Sequence, residues 1–245
     1  METTHLSQHI SSRFNEDLEA VRADLLAMGG LVEEQLRRSL AALADADSAL
    51  AGEVVRDDAK VNRMEVAIDE ECLRILATRA PTAGDLRLIV AIIKAITDLE
   101  RIGDEARKIA NIALRLATLE RPADRYREIR HLGRLVEGMV HDALDAFARM
   151  DVDAALRVAQ HDRHVDEEYE SIQRQCVTFM MEDPRQIRRT LDVTWAARAL
   201  ERVGDHATNI GEYVVYMVHG EDIRHTRIEE VETRIRPRAD ESDEA

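Results

Sequence analysis

The sequence predicts an all-α protein in which two antiparallel three-helix bundles repeat in tandem with pseudo-twofold symmetry. Its composition favours long helices over sheets, since 245 residues include only 4 prolines, 10 glycines and 3% aromatics. Apolar residues recur at steps of three and four, as one face of a helix requires. The hexapeptide LERIGD at Leu99–Asp104 returns as LERVGD at Leu200–Asp205.

The repetition extends over most of the chain. Shifting residues 14–76 by 104 positions places Cys72 on Cys176, whereas the two hexapeptides are 101 positions apart. Three residues are therefore missing from the second copy, most simply in the loop near Pro184. The predicted organisation is a first repeat at 10–120, a second at 124–220, and a charged, mobile tail at 221–245.

Each repeat is predicted to contain three helices with one buried stripe each. In the first repeat the stripes run from Leu18 to Leu43, Val61 to Ile75 and Ile89 to Ala110. In the second repeat the helices are expected at about 125–149, 152–182 and 185–219, and Gly220 is a plausible stop. The predicted connections are the turns at 45–48 and 78–84 and the joint at 121–124.

Cys72, Cys176 and Trp195 have simple structural interpretations. Both cysteines fall on apolar stripes of corresponding helices, which predicts reduced core residues rather than a disulfide or a metal site. Trp195 is expected to be a packing anchor rather than a binding platform.

The charge limits the classes of partner. A formal net charge of -15 repels nucleic acids and anionic lipid surfaces unless a local basic patch exists, and no such patch is evident in the sequence. The longest apolar run, Leu88–Ile96, is too short to span a membrane, and the polar N-terminus lacks a signal-peptide core. We therefore expect a cytoplasmic protein with no nucleic-acid binding and no direct membrane insertion.

The duplicated acidic pairs are the candidate functional residues. Carboxylates four residues apart share a helix face, and several carboxylate oxygens from neighbouring helices can hold a divalent or trivalent cation. The positions retained in both copies are Glu100, Asp104, Glu201, Asp205, and, on the adjoining helices, Asp58, Asn62, Asp162 and Asp166. A second group of acidic or polar residues lacks such a counterpart: Glu65, Asp69, Asp98, His206 and Asn209.

Two glycines strengthen the metal-site hypothesis. Gly103 and Gly204 stand on the predicted buried stripe beside the acidic pairs, although glycine inside a helix costs about 1 kcal/mol relative to alanine. A close approach between helices would explain them. The alternative is that Arg101 and Arg202 neutralise the acids as simple ion pairs.

Three segments carry a resemblance to a known family. The run ALERVGDHATNIGEYVVYMVHG at 199–220, with TDLERIGDEARKIANIA at 97–113 and VNRMEVAIDEECLRIL followed by a Pro…Asp-Leu-Arg turn at 61–87, resembles the PhoU family of phosphate-transport regulators. The resemblance covers roughly residues 10–220. It implies multinuclear iron or zinc clusters held by the E/D-xxx-D motifs at the eight duplicated positions.

The resemblance also implies a function. Proteins similar to PhoU are adaptors rather than enzymes. They link the ATPase subunit of a phosphate-specific ABC transporter to a sensor histidine kinase, and they repress the phosphate-starvation response when phosphate is plentiful.

Two other functions stay open from the residues alone. One is a helical scaffold whose acidic pairs bind nothing, and the other is an enzyme with a carboxylate-bridged di-iron site. Magnesium and manganese remain compatible with oxygen-only ligands. A homodimer is compatible with the sequence as well.

Overall fold

The computed structural model describes residues 3–79, 81–118, 127–224, 226 and 228–235. Within these ranges there is no strand, so the all-α prediction is confirmed. A short 3-10 turn, Pro184–Gln186, precedes the sixth helix. The helices are α1 (Thr3–Asp45), α2 (Ser48–Arg79), α3 (Ala83–Leu116), α4 (Arg127–Arg149), α5 (Val152–Glu182), α6 (Ile187–His219) and α7 (Ile228–Ile235).

The first six helices form the two predicted bundles. Helices α1 to α3 pack together, as do α4 to α6, and the bundles meet where α3 lies on α6 and α1 on α4. Two glycines face leucines of the other bundle. A Cβ atom at Gly29 would lie 2.6 Å from Leu144 Cδ2, and one at Gly133 would lie 2.8 Å from Leu40 Cδ2. Gly29 and Gly133 are equivalent positions of the two repeats, and so are Leu40 and Leu144. The two contacts are therefore related by the pseudo-twofold symmetry.

Helices α3 and α6 form the central layer and run antiparallel. Polar contacts between them connect Asp98 with Asn209 and Glu105 with Arg202. Each of the two helices buries residues toward its own bundle and toward the other helix, so the prediction of one stripe per helix is wrong for this pair. Periodicity within one repeat does not reveal a second buried face, because that face depends on contact between the repeats.

The first turn of each repeat has the same local structure. Ala46 and Met150 adopt left-handed backbone conformations, with φ of 56° and 54°. The following aspartates, Asp47 and Asp151, each accept a hydrogen bond from the backbone N–H three residues later, at 2.9 and 3.0 Å. Gly220 ends α6 with φ of 73°, as predicted.

The described part of the tail contains one short helix, α7. Ile223 and Val231 are buried, and α7 packs against α5. The sequence of α7, IEEVETRI, repeats its apolar residues at steps of three and four, as one face of a short helix requires. The joint at 121–124 and residues 236–245 lie outside the described residues.

Other sequence predictions concern the core and the membrane. Cys72 and Cys176 are free and buried, as predicted, and burial raises the pKa of the Cys72 thiol to about 12. Among the residues that the structure describes, no helix combines the length and apolarity needed to cross a membrane.

Gly211 provides a test of close packing in the second bundle. A Cβ atom there would lie 3.1 Å from the backbone oxygen of Ala155, which cannot move without shifting α5. We expect Gly211→Ala to lower the free energy of unfolding by about 1–2 kcal/mol, because crowding outweighs the gain in helix propensity. The measurement is urea denaturation followed by circular dichroism.

Gly138→Ala is the matched control for this substitution. Gly138 is exposed inside α4, and nothing lies within 4 Å of the position of its Cβ atom. This variant should gain up to about 1 kcal/mol. Equal stabilisation by both substitutions would show that α5 and α6 do not pack closely at Gly211.

Candidate functional site

The acidic site of the first repeat lies between α2 and α3. Arg107 Nε is 2.9 Å from Asp58 Oδ2, and Arg107 Nη2 is 2.6 Å from Asp104 Oδ1. Gln35 of α1 donates a hydrogen bond from Nε2 to Asp58 Oδ1 at 3.0 Å. The cationic partner of these two carboxylates is therefore a side chain of the protein itself.

Gly103 and Gly204 permit the close helix approach that the sequence predicted. A Cβ atom at Gly103 would lie 3.2 Å from Gln35 Oε1 and 3.4 Å from Val61 Cγ1. At Gly204 the corresponding contacts would be 3.3 Å to Val165 Cγ1 and 3.4 Å to Asp162 Oδ1. Each glycine thus lets a helix carrying an aspartate pack directly on the helix carrying the acidic pair.

The second repeat lacks the internal cation. Thr208 stands at the position of Arg107, and Met139 stands at the position of Gln35. Asp162 Oδ1, Glu201 Oε2 and the Thr208 hydroxyl are buried without a hydrogen-bond partner of ordinary geometry. This arrangement leaves buried oxygen atoms unsatisfied, which is costly unless another group binds there.

Arg198 forms an ion pair with one of these acids. Its Nη1 atom donates to Glu201 Oε1 at 2.5 Å. Asp166 and Asp205 complete the predicted acidic set and are both exposed. Arg198 thus contacts one of the four candidate carboxylates, whereas Arg107 in the first repeat contacts two.

The pKa values of the second-repeat acids reflect this imbalance. Burial, followed by repulsion from Asp166 and Asp205, raises the pKa of Asp162 to about 6, and the nearby Thr208 hydroxyl offsets only part of this effect. Burial and the charge of Asp205 raise the pKa of Glu201 to about 7, against the opposing effect of Arg198. Partial desolvation and Asp166 also raise the pKa of Asp205.

The donors of the second repeat suit a hard cation in their chemistry, since all are carboxylate oxygens and two are unsatisfied. Within the described ranges, however, no group of three His, Cys, Asp or Glu side chains is placed to hold a metal ion. Coordination would require rotation of side chains, which is open to the exposed Asp166 and Asp205. In the first repeat, Asn62 is exposed, and a cation would also have to displace Arg107.

The second group of predicted ligands is divided between two places. Glu65 has a raised pKa because it is partly buried and because Glu100 is nearby, and Asp69 is half-buried on the same helix. The pKa of Glu100 is raised by burial and then by Asp104. These acids therefore extend the first-repeat site electrostatically.

Asp98, His206 and Asn209 come together at the contact between the repeats. Asp98 Oδ1 lies 2.7 Å from His206 Nδ1 and accepts from Asn209 Nδ2 at 3.0 Å, while Oδ2 accepts from the Tyr213 hydroxyl at 2.7 Å. Both oxygens of this buried carboxylate are thus engaged by α6. The cluster connects α3 to α6 and joins neither acidic pair.

The sequence left open that Arg101 and Arg202 neutralise the acidic pairs as simple ion pairs. Arg101 Nε lies 3.6 Å from Glu100 Oε2, but Arg202 Nη1 lies 3.1 Å from Glu105 rather than near Glu201. The shorter contacts to the candidate acids come from Arg107 and Arg198, which stand at positions that are not equivalent in the two repeats.

Comparison with known proteins explains the duplicated architecture. The model of the PhoU domain matches the chain twice, at residues 25–113 and 129–214. The chain belongs to the PhoU family. It is 57% identical over 220 residues to a Pseudomonas putida protein named as a homolog of the phosphate-specific transport system accessory protein PhoU, covering 90% of this chain and 86% of that one.

Other PhoU proteins agree with this assignment. The accessory protein PhoU of Escherichia coli is 47% identical over 233 residues, covering 95% of this chain and 96% of that one. The crystal structure of PhoU from Pseudomonas aeruginosa superposes with a TM-score of 0.83 at 56% identity, covering 85% of this chain and all of that one. PhoU from Streptococcus pneumoniae gives 0.79 at 30% identity, with 85% and 98% covered.

Each match to the PhoU domain contains one acidic site, and the two sites differ at residues that sequence reasoning missed. The offsets of 101 and 104 place Arg107 opposite Thr208 and Gln35 opposite Met139, so the sequence already contained the signal for this difference. Trp195 was expected to anchor packing but is 63% exposed, so that prediction is wrong.

Proposed function

We propose that this PhoU-family chain is a metal-binding adaptor of a phosphate-specific transport system, which represses the phosphate-starvation response when phosphate is plentiful. Two lines of support are the family membership and the names of the relatives, which describe accessory proteins of that transport system. In this proposal its partners are a sensor histidine kinase and the ATPase subunit of the transporter, it works in the cytoplasm, and it is not an enzyme.

The second repeat is the proposed principal metal site. The supporting observation is that Asp162 Oδ1 and Glu201 Oε2 are buried and unpaired where the first repeat has Arg107. A bound cation would supply the positive charge that Thr208 does not. Iron or zinc is the proposed metal, and magnesium and manganese satisfy the same oxygen chemistry.

The chain would use this site to fasten two helices. Asp162 and Asp166 belong to α5, and Glu201 and Asp205 belong to α6. Without a cation, their mutual repulsion loosens the contact between α5 and α6. When the charges are balanced, the two helices can present a fixed surface to a protein partner.

Metal content is the first test of this proposal. The variant Asp162→Asn/Glu201→Gln preserves side-chain size but removes two charges, and it should lose most of the metal retained after dialysis. The matched variant Asp58→Asn/Glu100→Gln changes the equivalent residues of the first repeat and should retain most of it. Elemental analysis of the purified proteins measures both.

The opposite result would favour the alternative of a plain helical scaffold. If all three proteins hold the same amount of metal, the second-repeat acids are not its ligands. Circular dichroism shows whether each variant remains helical, so loss of metal can be separated from loss of fold.

The regulatory role needs a cellular test. A strain lacking this protein should express a phosphate-starvation reporter even at high phosphate, and the wild-type chain should restore repression. Affinity capture at high and low phosphate should recover the ATPase subunit and the sensor kinase. Normal repression in the deletion strain would contradict the adaptor role.

A further inference from the structure

A groove on the outer side of the contact between α3 and α6 is distinct from both acidic sites. We call it the basic groove, and its volume is about 360 Å³, which lies in the range of small-molecule sites. Its floor includes Ile112 and Ala199, and its rim carries one aromatic and four cationic side chains. The rim residues are Trp195, Lys108, Arg115, Arg198 and Arg202.

In the basic groove the acidic side chains are buried and the cationic side chains are exposed. The acids that pair with its cations are buried: Glu105 is 2% exposed, and Asp192 and Glu201 are each 8% exposed. The four cationic side chains are 42–49% exposed. Solvent therefore meets positive charge here, although the whole chain carries a net charge of -15. More distant acids are screened beyond about 8 Å at physiological salt.

The basic groove is not evident in the sequence because its four cations come from two helices that are far apart in the chain. Lys108 and Arg115 belong to α3, and Arg198 and Arg202 belong to α6. They become neighbours only when the repeats pack together.

The pseudo-twofold symmetry supplies an internal comparison. At the related place on the other side of the axis, Tyr213 and Tyr216 stand at the positions of Ile112 and Arg115, and Asp98 stands at the position of Ala199. The Tyr213 hydroxyl donates to Asp98, and Lys94 Nζ lies 5.5 and 5.4 Å from the two ring centres. The rings of Tyr213 and Tyr216 thus fill the place that is related to the basic groove by symmetry, while the basic groove itself remains open.

The spacing of the rim residues limits the ligand. Trp195 and Arg202 are seven residues apart on α6, which corresponds to a rise of about 10 Å. This length matches the distance from the base to the outer phosphates of a nucleoside triphosphate. An exposed indole can stack on the flat base, and guanidinium and ammonium groups bind phosphate oxygens.

We propose that the basic groove binds a nucleotide, with the base against Trp195 and the phosphates toward Arg198, Arg202 and Lys108. The bounded volume and the single aromatic platform favour a nucleotide over an acidic protein segment, which would need a longer track of cations. The groove adjoins the proposed metal site, because Arg198 lines the groove and pairs with Glu201, but none of the four candidate metal ligands lines the groove.

Trp195 makes the test direct because it is the only tryptophan in the chain. Metal-free protein is titrated with ATP in buffer without divalent cations, so that ATP cannot act by carrying or removing a metal. Excitation at the red edge of indole absorption limits interference from adenine. We expect saturable quenching of Trp195 by ATP, with much weaker effects of adenosine and of inorganic tripolyphosphate.

Variants locate the binding. Lys108→Gln/Arg202→Gln removes two groove charges while leaving amide donors for Glu105, and it should weaken ATP binding at least tenfold. The matched control, Arg149→Gln/Arg174→Gln, removes two charges at positions whose side chains are each 71% exposed, and it should bind as wild type. Ile112→Tyr/Ala199→Asp introduces the residue types of Tyr213 and Asp98, which fill the symmetry-related place. This variant should abolish the quenching.

Three outcomes would overturn the proposal. One is the absence of saturable quenching by ATP. Another is equal binding of tripolyphosphate and ATP, which would make the groove a plain polyanion site. The third is quenching by an oligoglutamate peptide but not by ATP, which would identify a docking site for acidic protein segments.

Discussion

Replacing Thr208 with arginine is expected to weaken metal binding in the second repeat and to stabilise the metal-free protein. The substitution gives this repeat the residue that neutralises Asp58 and Asp104 in the first repeat. A guanidinium beside Asp162 and Asp205 would supply the positive charge that a bound metal ion otherwise provides. We expect metal affinity to fall at least tenfold, equivalent to about 1.4 kcal/mol, and metal-free stability to rise by about 2 kcal/mol.

The reciprocal variant and a neutral control make this prediction specific. Arg107→Thr should create a second unsatisfied acidic site and raise the amount of metal bound per chain. Thr208→Gln adds bulk without charge and should weaken binding less than Thr208→Arg. Calorimetric titration with zinc or manganese and thermal unfolding in chelator measure the two effects. Undiminished affinity in Thr208→Arg would place the metal site elsewhere.

The metal-free protein should lose stability as the pH rises from about 4 to about 8. Burial raises the folded pKa of Asp162 to about 6, and it raises those of Glu201 and of Glu212, which also lies on α6, to about 7. The ordinary values are 3.8 for Asp and 4.5 for Glu. Each group therefore binds more protons folded than unfolded, so its contribution is complete at low pH and is lost through this window. A two-unit shift of one group corresponds to about 3 kcal/mol, and coupling makes the total smaller than the sum.

Urea denaturation at the two pH values, in chelator, measures this loss. Glu201→Gln should flatten the dependence, because the uncharged amide cannot become a buried anion. Glu170→Gln is the control, since Glu170 is 68% exposed and pairs with Arg174 on the surface. Saturating metal should restore stability at the higher pH by mass action. A wild-type protein that is more stable at the higher pH without metal would refute the assignment.

The fold could be predicted because it depends on signals that are local and duplicated. The apolar spacing between Leu18 and Leu43 defines α1, and the offset between Cys72 and Cys176 defines the repeat. The turns were found through residues such as Pro81 and Gly220, whose backbone preferences are intrinsic. These features need no knowledge of which helices meet.

The details of the sites could not be predicted in the same way, because they depend on contacts between distant segments. Gln35 and Asp58 meet only when α1 packs across α2 and α3, and Asp98 finds its partners on the other repeat. The exposure of Trp195 likewise follows from the groove between α3 and α6. Spacing along one helix identified the acids, but it did not show which of them already have a cation.

Because α3 and α6 are each buried on two faces, each repeat depends on the other to cover its third helix. A protein made of one repeat would leave one apolar face of its third helix uncovered, and a second copy turned about a true twofold axis would cover it. Joining both copies in one polypeptide makes this association independent of concentration. It also lets paired positions diverge, so that Arg107 and Thr208, or Tyr213 and Ile112, can serve different purposes on opposite sides of the same axis.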